Sequence, residues 1–238
     1  MIWAFGDSFT WGACHEDISQ LDLTGNKRVE TTYIDFVKKA LKDKVVNFSW
    51  PGNSNLAILI SFLKRVKRFK KGDTVIVNMT SWGRGTMPML TEDNDATLCG
   101  VVSRSIDNGH YPYDTFEDPV PYFPPTDIAK RYVDSLMVYE NEPTMAPVLT
   151  KEYVAAYRSL MVELSRKGVK MYVWDFDWTW YRLDLFYNEP FEKWYCPCGH
   201  WSEIGHEWFS KRLISFMKKN KYGYMEKSKK NIYYNLKF

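Results

Sequence analysis

The first residues of the chain place a serine where a nucleophile could work. A short apolar run, residues 2–5, is typical of a buried strand, and Gly6-Asp7-Ser8 follows it at once. If a helix begins there, Ser8 lies on a tight turn beside backbone N–H groups that are free to bind negative charge. A nucleophile needs this rigid support and an adjacent oxyanion site. The pattern therefore predicts a nucleophilic serine, or else a serine that only caps the helix.

A histidine near the other end of the chain is the candidate base for Ser8. Of the four histidines, His200 is the informative one, because it lies in a predicted loop just before an amphipathic helix. His206 falls inside that helix and is predicted to pack or to cap. We therefore predict that the His200 imidazole accepts the proton of the Ser8 hydroxyl.

Strands alternating with helices are predicted to position these two side chains. The apolar runs predict strands at 1–5, 44–48, 74–79 and 169–174, and a fifth strand between 178 and 185. The 3.6-residue periodicity predicts helices at 31–41, 56–66, 128–137, 154–164 and 202–218. Such alternation is typical of a parallel sheet covered on both sides. Because ligands bind beyond the carboxyl ends of parallel strands, Ser8, Gly52 and the residues after Met79 should gather at one edge.

Three blocks in this order resemble the SGNH (GDSL-type) hydrolase superfamily. Residues 6–12 (GDSFTWG) resemble its first block, residues 51–55 (PGNSN) its second, and residues 200–206 (HWSEIGH) its last. The resemblance implies a serine esterase with Ser8 as nucleophile, His200 as general base, and the backbone N–H groups of Ser8 and Gly52 as oxyanion donors. We accordingly expect an α/β fold: a three-layer α/β/α sandwich with a flavodoxin-like parallel sheet of four to five strands and a long irregular insertion.

The third block of that superfamily is altered in this chain. Where the superfamily has Gly-x-Asn-Asp, residues 78–84 read NMTSWGR. The side-chain oxyanion donor is therefore predicted among Asn78, Thr80, Ser81 and Arg84. Removal of one oxyanion donor costs about 10²–10³ in rate, so an altered block should slow catalysis without abolishing it.

The position of the catalytic acid is altered as well. The superfamily's acid lies three residues before the histidine, and Pro197 occupies that position here. An acid orients the imidazole and stabilises its protonated form. The predicted substitutes are Asp175, Asp177 and Glu192 from the preceding segment. The alternative is a Ser–His dyad whose ring is held by a backbone carbonyl near Pro197.

Aromatic residues before and around His200 bear on the substrate. Trp178 and Trp201 are predicted to stack against a sugar or an apolar acyl chain, or else to pack in the core. Asp7 and Asn53 are further candidate substrate contacts. We predict removal of a small acyl group, such as acetyl, from a carbohydrate or similar acceptor through an acyl-enzyme. The alternatives are an O-acyltransferase with the same residues and a non-catalytic binding protein on the same fold.

The cysteines invite a metal or disulfide interpretation. Cys196, Cys198 and His200, with the Cys14-His15 pair, offer ligands that zinc accepts, and a Cys14–Cys198 disulfide is an equal alternative. The Cys-x-Cys spacing is nevertheless shorter than that of ordinary zinc sites, so small buried thiols are the favoured interpretation. We expect no metal and no cofactor.

Length and charge set the remaining expectations. The 238 residues, 45% of them hydrophobic, predict one domain, 1–238, with a cap or insertion at 83–125. The net charge is +3, and the two basic segments, 64–71 and a tail at 218–238, are interpreted as solvated surface rather than as nucleic-acid sites. No apolar stretch is long enough for a membrane helix, and no signal peptide is recognisable. A cytoplasmic protein without a membrane partner is expected.

Overall fold

A parallel sheet of five strands forms the centre of the protein. The computed structural model describes residues 1–13, 29–50, 53–80, 84–90, 96–102, 145–175, 190–196 and 199–225. Its strands are β1 (Ile2–Phe5), β2 (Val45–Asn47), β3 (Thr74–Met79), β4 (Arg84–Leu90), β5 (Ala96–Val102), β6 (Lys170–Asp175) and β7 (Gly223–Met225). The main sheet has the order β2-β1-β3-β6-β7, all parallel. This is the flavodoxin-like order, so the predicted fold class is confirmed.

Helices cover both faces of this sheet. They are α1 (Ser8–Trp11), α2 (Tyr33–Leu41), α3 (Asn55–Leu63), α4 (Met145–Arg166), α5 (Phe191–Trp194) and α6 (Glu203–Lys219), with a 3₁₀ turn at Val66–Arg68. Residues of α2 and α6 share one hydrophobic cluster with the sheet, and residues of α3 and α4 share the other. The strand β3 is buried along its whole length because both of its faces are covered. None of the described helices combines the length and the apolar character that crossing a bilayer requires.

Local signals in the sequence fix where these helices begin and end. The α2 helix starts with a capping box, in which Thr32 and Asp35 exchange hydrogen bonds between side chain and backbone. The α6 helix starts after Ser202, whose hydroxyl accepts from the N–H of Gly205. After α4 the chain turns at Gly168, whose φ of 73° suits a residue without a Cβ. The predicted boundaries of β3 and α6 agree with these elements to within about one residue.

Two strand regions differ from the sequence-based predictions. The fifth strand of the main sheet is β7, within the segment interpreted as a basic tail, whereas the predicted strand at 178–185 lies outside the described residues. An antiparallel hairpin, β4–β5, occupies part of the 83–125 segment in which no regular element was predicted. The predicted helix at 128–137 also lies outside the described residues. A three-residue strand is too short to produce an alternating pattern, so β7 had no periodic signal.

Candidate active site

The turn between β1 and α1 is built so that Ser8 opens the helix. Asp7 is the N-cap residue, and its carboxylate accepts a hydrogen bond of 3.0 Å from the N–H of Phe9. The prediction that Ser8 itself might serve as the cap is therefore wrong. A Cβ on Gly6 would clash with the Thr10 side chain and lie 2.9 Å from Cβ of Asn78, so only glycine fits before the turn.

The Ser8 hydroxyl is buried and makes no hydrogen bond with the described residues. Its residue is 3% exposed, and its Oγ has no hydrogen-bond partner within the part of the chain that the structure describes. Buried hydroxyls are nearly always bonded, so one that is not requires an explanation, and a catalytic role is one of the recognised explanations. The Ser8 Oγ is therefore not committed to a structural hydrogen bond with a described residue.

His200 lies beside α1. Its ring centroid is 4.9 Å from that of Phe9, the residue after Ser8, and its side chain is half-buried. The loop around it is held by hydrogen bonds from the N–H of Cys196 to the His200 carbonyl, 2.8 Å, and from the N–H of Ser202 to the Trp194 carbonyl, 2.8 Å. No hydrogen bond joins Ser8 Oγ to His200 in this structure. Catalytic hydrogen bonds are often loose in unliganded enzymes and tighten only with substrate.

A buried polar network ties α1 to the end of β3. The second oxygen of Asp7 accepts a 2.7 Å hydrogen bond from the Thr80 hydroxyl, and Thr80 exchanges backbone hydrogen bonds with the Asn55 amide. The Thr10 hydroxyl donates to Asn78 Oδ1 at 3.0 Å and lies 2.8 Å from the Tyr33 hydroxyl. These contacts fix the turn that carries Ser8 against the neighbouring strand.

This network gives several predicted site residues a structural role. Asp7 is fully buried and bonded within the protein, so the structure does not support it as a substrate contact. Asn78 is also fully buried, and its Nδ2 donates to the Met79 carbonyl, which turns it away from an oxyanion. The Thr80 hydroxyl donates its hydrogen bond to Asp7. Ser81 lies outside the described residues, as does the side chain of Arg84.

The loop after β2 reaches the same turn. The Asn53 side chain donates to the Gly6 carbonyl at 2.9 Å, and the N–H of Trp50 donates to the same oxygen at 3.3 Å. The predicted oxyanion donor between them, Gly52, lies outside the described residues. The Asn53 side chain therefore supports the Ser8 turn by binding the backbone carbonyl of Gly6.

An exposed tryptophan, Trp50, borders this turn, contacts the half-buried Trp11 and was not predicted as a site feature. Trp50 is 61% exposed, the highest value among the large hydrophobic residues described as exposed. Its ring lies 6.3 Å from that of Trp11, at an interplanar angle of 65°. An exposed tryptophan beside a candidate nucleophile is a feature that burial alone reveals, because the sequence Ser-Trp-Pro-Gly indicates only a turn.

Trp201 is not the stacking platform that was predicted. It is 0% exposed, stacks on Trp174 with ring centroids 5.8 Å apart, and packs edge-on against Phe9 at 5.1 Å. A fully buried ring offers no face to a ligand, so its role is core packing that supports the His200 loop. Trp178, the other predicted platform residue, lies outside the described residues.

Two of the three candidate acids, Asp175 and Glu192, lie in the described part of the chain. Asp175 follows Trp174, and successive side chains on a strand alternate in direction, so Asp175 points away from the Trp201 side of the sheet. It accepts a hydrogen bond from the Tyr224 hydroxyl, which packs with the α3 and α4 cluster. Glu192 is exposed on α5, and Asp177 lies outside the described residues. The geometry thus gives Asp175 a role in joining β6 to β7.

His206 is the second histidine of the last block, and it lies inside the core as predicted. It is 0% exposed, stacks against Tyr33 at 6.1 Å and meets Trp201 edge-on at 5.6 Å. Burial, with a smaller effect of nearby His200, lowers the pKa of His206 to about 3. Burial also raises the pKa of Tyr33. Both side chains are therefore neutral near pH 7, and neither adds charge behind the Ser8 turn.

The cysteine predictions are corrected at one position. Cys196 is disulfide-bonded, so the favoured interpretation of a free buried thiol is wrong there. Cys14, His15 and Cys198, the other residues of the zinc and disulfide alternatives, lie outside the described residues. Within the ranges described above, no group of three or more His, Cys, Asp or Glu side chains is placed to hold a metal ion.

The chain was compared with known protein families and with curated proteins. No model of a known protein family matches the chain, and no curated protein matches it. The case for function rests on the residues and their arrangement.

Proposed function

We propose that the protein is a serine-dependent ester hydrolase that removes a small acyl group, such as acetyl, from a carbohydrate or similar acceptor. The observation that carries the proposal is the unpartnered Ser8 hydroxyl at the start of α1, with His200 packed on the adjacent Phe9. These residues stand at the carboxyl edge of a parallel sheet, where such folds bind their ligands.

The proposed reaction uses few groups. His200 accepts the proton as Ser8 Oγ attacks the ester carbonyl, and then returns it to the leaving hydroxyl of the acceptor. Water, activated by the same imidazole, frees the acyl group from the serine. The N–H groups of Ser8 and Gly52 are the proposed oxyanion donors. The buried Asp7–Thr80 hydrogen bond supports this assignment, because it holds the Ser8 turn rigid.

The exposed Trp50 ring, packed edge-on against the half-buried Trp11, supports a carbohydrate acceptor. A tryptophan face is a flat apolar surface with a polar edge, and sugars present matching flat faces of C–H groups. With Trp201 buried in the core, this pair replaces it as the proposed stacking surface.

A covalent probe and a chromogenic ester test the proposal together. The protein is incubated with a fluorophosphonate and, separately, with p-nitrophenyl acetate, beside Ser8→Ala and His200→Ala variants. We expect labelling and hydrolysis to disappear in Ser8→Ala and to fall by about 10²-fold or more in His200→Ala, since general-base catalysis contributes about 10²–10⁴. Ser159→Ala, which changes an exposed serine on α4, is the matched control and should behave as the original protein does.

The opposite result has a defined meaning. Equal labelling and hydrolysis in the original protein and in Ser8→Ala, with both variants folded by circular dichroism, would remove the esterase proposal and favour a non-catalytic binding protein. Transfer of the acyl group to an added sugar hydroxyl in preference to water would assign the same residues to an acyltransferase.

A further inference from the structure

The edge of the sheet opposite Ser8 collects cations from distant parts of the chain. Each of α2, α3, α4 and α6 returns the chain to the amino end of the next strand of the main sheet. Twelve exposed cations lie between the last turns of these helices and the first residues of the strands that follow them. They are Lys42, Lys44, Lys64, Lys67, Arg68, Lys70, Lys71, Lys167, Lys170, Lys218, Lys219 and Lys221. We call this set the lysine edge. It unites the two basic segments that the sequence presented as separate.

Hydrogen bonds hold the strand starts that carry the lysine edge beside one another. The N–H of Ile2 donates to the Lys44 carbonyl at 2.7 Å, and the N–H of Gly72 to the Gly168 carbonyl at 2.9 Å. The N–H of Lys170 donates to the Asp73 carbonyl at 2.9 Å. The Tyr172 hydroxyl donates to the Lys221 carbonyl at 3.2 Å. The starts of all five strands are thereby held in register.

The described acids close to this edge pair with groups outside it. Among the described residues at the amino ends of the strands, Asp43 and Asp73 both bind the amino group of Met1, at 2.8 and 3.1 Å. Glu163 pairs with Arg166 at 2.6 Å. No ion pair involves a member of the lysine edge within the described part of the chain. Since the whole chain carries only +3, the residues outside the lysine edge sum to a net negative charge.

The dimensions of the edge fit a linear polyanion. Five strands leave four gaps of about 4.8 Å, so the edge is roughly 19 Å long. A nucleic-acid strand carries one phosphate per roughly 3.4 Å, so such an edge faces roughly five phosphates. All but one of the cations are lysines, which act as point charges without the fixed fork that reads a base edge. The exposed large hydrophobic residues in the same segments are Met1, Leu41, Leu63 and Tyr222.

We propose that the lysine edge binds the phosphate backbone of nucleic acid, without preference for sequence. The binding depends on counterion release and is therefore steeply sensitive to salt. It does not depend on the esterase proposal, because Ser8 lies at the other edge of the sheet.

Fluorescence anisotropy with labelled single-stranded and duplex oligonucleotides of mixed sequence tests this inference. The variant Lys71→Gln/Lys170→Gln/Lys221→Gln removes three charges from adjacent strand starts. We expect its affinity at low salt to fall about tenfold or more, and the slope of log K against log salt to lose about one unit per lysine. Lys193→Gln/Lys211→Gln/Arg212→Gln removes the same charge from α5 and α6, and should change the affinity less than twofold or so.

Three outcomes would overturn the proposal. They are no binding at low salt, equal loss in the two triple variants, and binding to phosphatidylserine vesicles without binding to oligonucleotides. The Ser8→Ala variant should bind oligonucleotides as the original protein does, so failure of the esterase assay leaves this test intact.

Discussion

At the scale of single residues, burial separates the roles of side chains that look alike in the sequence. Trp201 follows His200 and Trp50 precedes Pro51-Gly52, yet Trp201 is 0% exposed and Trp50 is 61% exposed. His200 and His206 both belong to the last block, but only the first stays half-exposed beside α1. The sequence predicted that Ser8 follows a strand and that His200 precedes a helix, because both depend on local order. It could not predict which ring faces solvent, because that depends on packing between elements far apart in the chain.

Neutral, buried His206 should make the protein sensitive to acid. Its pKa is about 3 in the folded protein against 6.5 when exposed, so the unfolded chain binds an extra proton between these values. Stability is therefore complete above pH 6.5 and is lost as the pH falls toward 3. The loss at about pH 5 is about 2 kcal/mol, at 1.36 kcal/mol per pH unit. Urea unfolding at both pH values measures it.

His206→Phe is the control for this prediction. A phenylalanine keeps an aromatic ring between Tyr33 and Trp201 but cannot titrate. The difference in unfolding free energy between neutral and acid pH should be about 2 kcal/mol smaller in this variant. The same pH dependence in both proteins would contradict a buried neutral His206.

Trp50→Ala should weaken the acceptor site but spare the chemistry. We expect KM for an acetylated sugar to rise about three- to tenfold, since an aromatic contact contributes about 0.5–1.5 kcal/mol. Hydrolysis of p-nitrophenyl acetate should stay within a factor of about two, because that ester has no sugar to stack. Tyr222→Ala, which removes an exposed ring at the opposite edge, should leave both values unchanged. If Trp50→Ala lowered the activity on both esters equally, Trp50 would instead stabilise the turn that carries Ser8.

At the scale of elements, the short α1 is held by its cap and not by its length. A four-residue helix gains little from its own hydrogen bonds, so Asp7 and its contact with Thr80 stabilise it. The bounds of β3 and α6 were predicted to within about one residue because their patterns run over many residues, whereas the helix predicted at 154–164 begins nine residues earlier, at Met145. The hairpin and β7 were missed, since each is specified by pairing with a neighbour more than by its own periodicity.

Asp7→Ala should destabilise the whole protein. It leaves the N–H of Phe9 and the Thr80 hydroxyl without their acceptor in the interior, which costs about 2–4 kcal/mol from the lost cap and the unsatisfied donors. Asp7→Asn keeps one acceptor and should cost less. Asp43→Ala removes an acid whose side chain is 38% exposed and pairs with the Met1 amino group at the surface, so it should cost under about 1 kcal/mol. Chemical denaturation of the three variants gives the order, and a loss for Asp7→Ala no larger than that for Asp43→Ala would contradict the role of the cap.

At the scale of the whole molecule, the C-terminal strand is part of the domain and the two sheet edges carry different chemistry. Met225 is 6% exposed and packs in the α2 and α6 cluster, so β7 completes the core. The carboxyl edge holds the candidate site and the amino edge holds the lysines. The sequence could predict neither feature, because each depends on segments about 150 residues apart that only the folded sheet brings together.

Met225→Ala tests the place of β7 in the core. We expect a loss of about 2–4 kcal/mol in unfolding free energy, as for other large-to-small changes at buried positions. Ile204→Ala, at an exposed position on α6, should lie within about 0.5 kcal/mol of the original protein. Equal, small effects in the two variants would mean that β7 contributes little to the core.

The direction of β7 has a practical consequence for handling the protein. Because β7 runs parallel to β1, the chain at Met225 arrives on the side of Ser8, whereas Met1 starts among the lysines. An affinity tag before Met1 would displace an amino group that binds Asp43 and Asp73, and would stand in front of the cationic surface. Immobilisation through the amino terminus would therefore cover the lysine edge and leave the candidate site at the opposite edge of the sheet uncovered.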